Sequence, residues 1–347
     1  MNEAVRRLGI ARPIVQGPFG GGLSTTTLAA TVSNGGGLGS FGAHHLEPAA
    51  IGRVASELRS LTSRPFALNL WVSNVDPGGE DPDPAALSRA ARLFEPFFRE
   101  LGLDLPEPPR RAHQSFEEQV EALLEAAPPV FSFIFGVPRP AILEACRRKG
   151  IVTVGSATTV AEARALEEAR VDLIVASGFE AGGHRPSFLA PAEESLMGTF
   201  ALVPLIADRV KVPVIAAGGV ADARGVRAAL TLGAQAAQLG TAFLACEESG
   251  ATPEHRAILL GERAHHTVLT RAFSGRLARG VRNRWAEVMG PRAHELPPYP
   301  LTSWYLSQLR PAAVAAGNTD LVSLWGGQAA PTLRHRTAQA LLDSLGP

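Results

Sequence analysis

The sequence predicts an α/β fold, a (β/α)8 TIM barrel carrying a small, mainly helical C-terminal cap. Three observations point there. Short apolar runs recur, amphipathic stretches separate them, and glycine clusters close several runs, not just one. Nearly continuous apolar runs mark parallel strands covered on both faces. Eight strand–helix units over about 240 residues match the barrel count. A doubly wound sheet is the rival, but no G-x-G-x-x-G follows the first run.

In chain order the predicted strands are 13–16, 38–42, 66–72, 130–136, 152–156, 173–176, 214–217 and 236–239. Helical patterns fill the gaps at 48–61, 138–149, 159–169 and 222–232. A barrel of residues 1–250 accommodates an insertion at 74–115, rich in Pro, Asp and Gly around a short helix at 85–101. Residues 251–347 read as a helical cap over the barrel mouth without new strands, its last helix at 332–345 packing back on the barrel.

Bulk properties narrow the function classes. Lys and Arg total 33 and Asp and Glu total 33, so nucleic acid or a polyanionic surface is not the expected partner. Lys149 and Lys211 are the only lysines, a composition bias and not phosphate recognition. Cys146 and Cys246 lack metal-ligand spacing, and no metal site is expected. The polar start MNEAVRRLGI and the lack of a spanning apolar run point to the cytoplasm, away from a membrane. An oligomer stays open, since no surface stripe indicates an interface.

In a barrel the C-terminal strand ends face the active site, so those ends are read directly. The richest is 173–188, LIVASGFEAGGHRPSF, where a glycine-rich turn presents His184 just past a strand. The first strand ends in Gln16-Gly17-Pro18-Phe19, and the third holds Asn69 inside ALNLWV. A buried Asn either bonds its neighbours or reads a ligand. The seventh predicted strand runs into Gly218-Gly219, and the eighth gives Gln238-Leu239-Gly240-Thr241. Two glycine ends in consecutive units make a phosphate site, and FMN is the usual phosphorylated cofactor lying across such a mouth.

Together these motifs resemble the nitronate monooxygenase family (formerly 2-nitropropane dioxygenases), FMN-dependent barrels related to FMN-dependent enoyl-acyl carrier protein reductases. The matching stretches are PIVQGP, ALNLWV, FSFIFGVP, GFEAGGHRPSF, VIAAGGVAD, QLGTAFL, TRAFSGRLARGVRN and LWGGQAA. The resemblance implies that Gln16, Gly17, Asn69, Ser177 and Gly182 border the flavin. It places Gly218, Gly219, Gln238, Leu239, Gly240 and Thr241 at the phosphate, and assigns catalysis to His184. Two positions depart from the family: Phe19 stands where Met is common, and Ser177 where Gln is common.

The implied reaction is oxidation of an alkyl nitronate, or of a nitroalkane, by O2 to a carbonyl compound and nitrite. His184 then has three candidate roles: hydrogen-bonding the nitro oxygens, stabilising the anion as imidazolium, or abstracting the α-proton. Glu180 either orients this loop or the histidine, or is a loop-capping carboxylate. His44-His45 and His265-His266 read as structural or surface residues. Arg271, Arg276, Arg279 and Arg282 read as an ion-paired segment touching the mouth at one or two points. Tyr299, Trp304 and Tyr305 are candidates for the substrate side. The alternatives are an FMN-dependent enoyl-acyl carrier protein reductase using NAD(P)H and a non-catalytic flavin-binding protein.

Overall fold

The computed structural model describes residues 2–72 and 83–346. Residues 73–82, which include the start of the predicted insertion at 74–115, lie outside them. Along the chain the strands are β1 (Ile14–Gln16), β2 (Gly39–Gly42), β3 (Phe66–Trp71), β4 (Val130–Ile134), β5 (Val152–Ala157), β6 (Leu173–Ser177), β7 (Gly183–His184), β8 (Val214–Ala217), β9 (Ala236–Leu239), β10 (Thr267–Thr270) and β11 (Ala278–Val281). All eight predicted strands form. They pair in the order β1-β9-β8-β6-β5-β4-β3-β2, every pairing parallel. A parallel bridge from Val15 to Leu38 joins the two ends into a TIM barrel.

Alternation along each strand sorts side chains between two layers. One set faces the surrounding helices, including Leu68, Leu70, Phe131, Phe133, Ile174 and Leu239. The other fills the barrel interior with Val15, Ala67, Val130, Val154, Ile215 and Ala236. The helix Glu3–Leu8 adds Ala4, Val5 and Leu8 to that interior core. Its start is fixed by the Asn2 side chain, which accepts from Val5 N–H, and its end by Gly9 at φ 66°.

One step farther along most of the strands the apolar interior series ends. Gly17, Asn69, Ser132, Ser156 and Gln238 each lie two residues beyond an apolar interior residue, and Ser177 lies two beyond Val175. The barrel is thus dry in its lower part and polar at the mouth. That gradient positions the site.

The tail departs from the sequence expectation. It adds two strands: β10 and β11 pair antiparallel, and β11 also pairs with β7, so a three-stranded sheet stands at the mouth. β11 escapes an apolar-run search because it reads ARGV, yet all four residues are buried. Its Arg279 is accommodated by donating to the Phe179 carbonyl (3.0 Å) and to Thr267 Oγ1 (3.0 Å).

The helix Pro84–Glu100, expected at 85–101, shares a second core with the tail. Phe94 stacks on Tyr305 with centroids 4.5 Å apart, and Trp285 lies 5.4 Å away. The last helix is Ala338–Ser344, shorter than the predicted 332–345, because Thr337 caps it by accepting from Ala340 N–H. Leu341 and Leu342 on this helix join the core around the barrel. Among the described residues no helix is long and apolar enough to cross a membrane.

Candidate active site

A cavity of about 850 Å³ occupies the barrel mouth, within the range of small-molecule sites. Gly17, Asn69, Ser177, Gly182 and His184 line it from one set of strand ends. Gly218, Gly219, Gln238, Gly240 and Thr241 line it from β8 and β9. Two predicted contacts do not reach it. Leu239 alternates outward into the helix-facing core, while Gln16 is fully buried behind Gly17. The Gln16 carboxamide is spent on the barrel itself: Nε2 donates to Ser40 O (2.8 Å) and Gly17 O (3.1 Å), and Oε1 accepts from Ser40 N (3.1 Å). Both misplacements follow from period two, since each residue sits one position from a mouth-facing neighbour.

Asn69 does both things a buried Asn can do. Its Nδ2 donates to Ser132 Oγ at 3.0 Å, and the residue still forms cavity wall. Phe19 and Ser177, the two departures from the family pattern, also line the cavity.

His184 is delivered by β7 and held by β11, where Ala278 pairs with it in antiparallel register. Its Nε2 lies 2.7 Å from Ser274 Oγ. Trp71 meets the ring edge-on at 4.9 Å and Trp325 tilts against it at 5.0 Å. Burial above all, then the positive charges of Arg276 and His45, push the imidazole down to about 3. The ring is therefore neutral at ordinary pH, which removes the imidazolium role in the free site.

The glycine ends form a cradle that side chains would fill. Gly218 and Gly219 take φ of 103° and 71°, a region that favours glycine. A Cβ on Gly218 would stand 2.9 Å from the Gly178 carbonyl oxygen. One on Gly182 would stand 2.6 Å from Gly327 N, where the tail segment closes on the cavity. Gly327 N donates to Thr241 Oγ1 (2.9 Å) and Gln328 N to the Glu180 carbonyl (2.9 Å), so that segment is tied to both sides of the mouth.

Glu180 takes the capping role. Its carboxylate accepts from Thr199 N at 2.9 and 3.0 Å, holding the start of the helix Thr199–Ala207. Arg185 is a buried strap, donating to the carbonyls of Gly178 (2.6 Å), Ser177 (3.0 Å) and Ser195 (3.1 Å). Burial pushes its guanidinium down to about 10, leaving it charged. His265 and His266 are exposed, as expected.

Several wall residues escaped the sequence reading. His44 and His45 are not bystanders: both line the cavity, and His44 stacks on Trp71 at 3.7 Å. Among the described residues neither nitrogen of buried His44 finds a hydrogen-bond partner, and burial holds its pKa well below 6.5. Trp71 was legible, because it follows Asn69 by two positions on one strand and so shares its face. Trp325 on the wall, and buried Ser274 bonded to His184 behind it, come from the tail, where no strand period marks them. Tyr299 and Trp304 line a smaller adjoining chamber of about 290 Å³, whereas Tyr305 is buried in the second core. Among the described residues no cluster of His, Cys, Asp and Glu is suited to a metal.

Comparison with known proteins decides the family. The nitronate monooxygenase family model matches residues 3–347. The chain belongs to the nitronate monooxygenase family. A probable nitronate monooxygenase of Staphylococcus aureus (strain JH9) is 37% identical over 345 residues, covering 99% of this chain and 96% of that protein. Among solved structures, nitroalkane oxidase from Streptomyces ansochromogenes superposes with a TM-score of 0.90 at 36% identity, covering 99% and 96% of the two chains. FabK from Thermotoga maritima is more distant, with a TM-score of 0.76 at 28% identity over 99% and 94%. Membership of this family makes the protein an oxidoreductase.

Proposed function

We propose that this member of the family is an FMN-dependent nitronate monooxygenase, oxidising alkyl nitronates, and nitroalkanes after deprotonation, with O2 to a carbonyl compound and nitrite. The observation that carries the reading is His184: an imidazole at the cavity wall whose Nε2 lies 2.7 Å from Ser274 Oγ. The residues present fit a flavin mononucleotide. The positive-φ pair Gly218-Gly219, with Gly240 and Thr241, makes the phosphate end. Gly182, which has no room for a side chain, together with Gly17, Asn69 and Ser177 would hold the flavin ring. FMN, when bound, supplies the acceptance of electrons from the substrate and their transfer to dioxygen.

This chain's own residues do the rest. With Nε2–H donated to Ser274 Oγ, Nδ1 carries the lone pair that takes the α-proton of a neutral nitroalkane. A nitronate already ionised needs no base, and the same nitrogen, in the other tautomer, donates to its oxygen. The rings of Trp71 and Trp325 pack against the imidazole at 4.9 and 5.0 Å and limit its movement.

An anaerobic titration of the purified protein tests the reading. Propyl nitronate alone should bleach the flavin, with nitrite appearing on admission of air, and NADPH alone should not. Bleaching by NADPH alone would transfer the assignment to an FMN-dependent enoyl-acyl carrier protein reductase. His184→Ala should lower kcat/KM for neutral nitroethane by about 10²-fold or more, the range of a lost general base. Unchanged turnover in that variant would remove His184 from the chemistry.

A further inference from the structure

We propose that Arg310 recruits the anionic form of the substrate: a guanidinium in the cavity wall, paired with no carboxylate among the described residues, that selects a small monoanion over an uncharged molecule of the same shape. The inference rests on the proposed nitronate chemistry and names the residue that gives it a charge preference.

Arg310 is aimed by its helix and anchored by a loop. Along the helix Leu301–Ala315, Ser303, Leu306, Ser307, Arg310 and Val314 recur at intervals of three and four and line the cavity together. The guanidinium donates from Nη1 to the Gly21 carbonyl at 2.5 Å. That carbonyl belongs to the glycine loop after β1, in which Gly21 and Gly22 take φ of 63° and 80°. The loop is packed from two sides. A Cβ on Gly20 would stand 2.2 Å from His44 Cε1, and one on Gly250 would stand 2.0 Å from the Gly22 carbonyl oxygen. One backbone bond occupies a single N–H of the guanidinium fork. Neither of its other nitrogens is sealed in without a partner, so the remaining donors stay accessible to a ligand.

The wall offers an anion little else. Among the described residues that line the cavity, Arg310 is the only arginine or lysine and Glu180 the only carboxylate. Glu180 is occupied by Thr199 N and Oγ1. The four imidazoles of the wall, His44, His45, His184 and His255, are all held below their ordinary value by burial, so they bring no charge near neutrality. Burial also lowers the Arg310 guanidinium, and no carboxylate acts in the opposite sense, whereas Glu180 supports both Arg185 and Arg279. Arg310 also shares a wall with the base. Its charge reaches His255, whose Nε2 lies 2.9 Å from the Trp325 carbonyl oxygen, and the Trp325 ring lies 5.0 Å from that of His184. An anion entering between Leu306, Val314 and Leu324 gives up hydration that a guanidinium restores. A neutral nitroalkane has no such loss to recover. The cofactor phosphate has its own backbone cradle at Gly218-Gly219 and Gly240-Thr241, on the ends of β8 and β9, whereas Arg310 comes from the tail and is bonded to the loop after β1.

Two unreactive probes of one shape and different charge test it. Propionate and propionamide are titrated into the flavin-loaded protein at neutral pH, and binding is read from the perturbed flavin absorbance. The wild type should bind propionate about tenfold more tightly than propionamide or better. Arg310→Met should abolish that preference by weakening propionate alone, and Arg310→Lys should keep most of it. In steady state, Arg310→Met should raise KM for propyl nitronate about tenfold, with a far smaller change in kcat and in KM for neutral nitroethane. A wild type without saturable propionate binding, or without preference for it, overturns the proposal, as does a folded Arg310→Met that keeps the preference. Loss of FMN from Arg310→Met, with riboflavin held as in the wild type, would hand the guanidinium to the cofactor phosphate and overturn it too. If Arg310→Met does not fold, Arg310→Gln removes the charge while keeping a polar head and is read the same way. The propionate arm needs no turnover, so failure of the nitronate reading and failure of the Arg310 role are separable.

Discussion

Ser274 holds the hydrogen bond that fixes the orientation of the His184 ring. It is almost fully buried, and its hydroxyl serves His184 and the Arg276 backbone at once. Removing the hydroxyl leaves the imidazole in place between Trp71 and Trp325 but frees it to choose its tautomer. Ser274→Ala should therefore lower kcat/KM for a neutral nitroalkane about tenfold, the worth of one net hydrogen bond. Preformed nitronate should suffer much less, because no proton has to be taken. Flavin content should not change. Steady-state kinetics on both substrates decide it, and an equal loss on both would mean that Ser274 supports the fold and not the base. His184 itself was legible from glycine context at a strand end. Ser274 was not: its partner lies 90 residues away in sequence, and serine in a loop carries no period.

At the scale of elements, the loop after β6 is anchored by a buried carboxylate that the sequence did not flag. Glu162, on the helix Val160–Glu168, accepts from Thr158 N and Oγ1 (2.7 Å each) and from Phe188 N (2.6 Å) and Leu189 N (3.2 Å). It ties the chain just beyond His184 to the end of β5. Glu162→Ala removes the acceptor of all four donors, at about 1–3 kcal/mol for each group left buried and unsatisfied. Chemical denaturation should show a loss of about 3 kcal/mol or more, with faster proteolysis between residues 185 and 198; a loss below 1 kcal/mol would mean the loop holds without the carboxylate. The same elements show why the tail was misread as helical throughout. β10 and β11 are four residues each, and β11 places an arginine and a glycine between its flanking apolar residues. β7 is two residues long. β7 and β11 owe their pairing to segments far apart in the chain, so their own sequences announce little, whereas β10 reads TVLT and pairs with β11 across a short local connection.

Over the whole molecule, the division into a dry interior and a polar mouth follows from alternation that the sequence displays. Val15, Ala67, Val130 and Val154 line the barrel interior, and Gly17, Asn69, Ser132 and Ser156 continue the same face into the cavity. The barrel was readable for that reason, and applying the alternation to each strand end would have turned Gln16 and Leu239 away from the site. What alternation cannot supply is the electrostatic cost of the cap, which encloses imidazoles beneath it. His44 and His255 are buried and His184 nearly so, each with its pKa lowered mainly by burial: His255 to about 4, His184 to about 3, and His44 well below 6.5. In the unfolded chain all three titrate near 6.5. Between that value and the folded ones the unfolded state binds more protons, so stability rises with pH across the window and is lost as pH falls below about 6.5. Each imidazole contributes a slope of up to about 1.4 kcal/mol per pH unit. The carboxylates of Glu193 and Asp222, lowered by their arginine partners, add loss in the same direction only at more acidic pH. Urea denaturation should accordingly give a plateau above pH 7 and a steep decline from 6.5 to 4.5. His255→Gln, which keeps a donor for the Trp325 carbonyl now 2.9 Å from Nε2, should flatten that decline by close to one proton. A stability unchanged between pH 7.5 and 5 would mean the imidazoles reach water in the folded protein, and the neutral His184 on which the proposed chemistry depends would lose its physical basis.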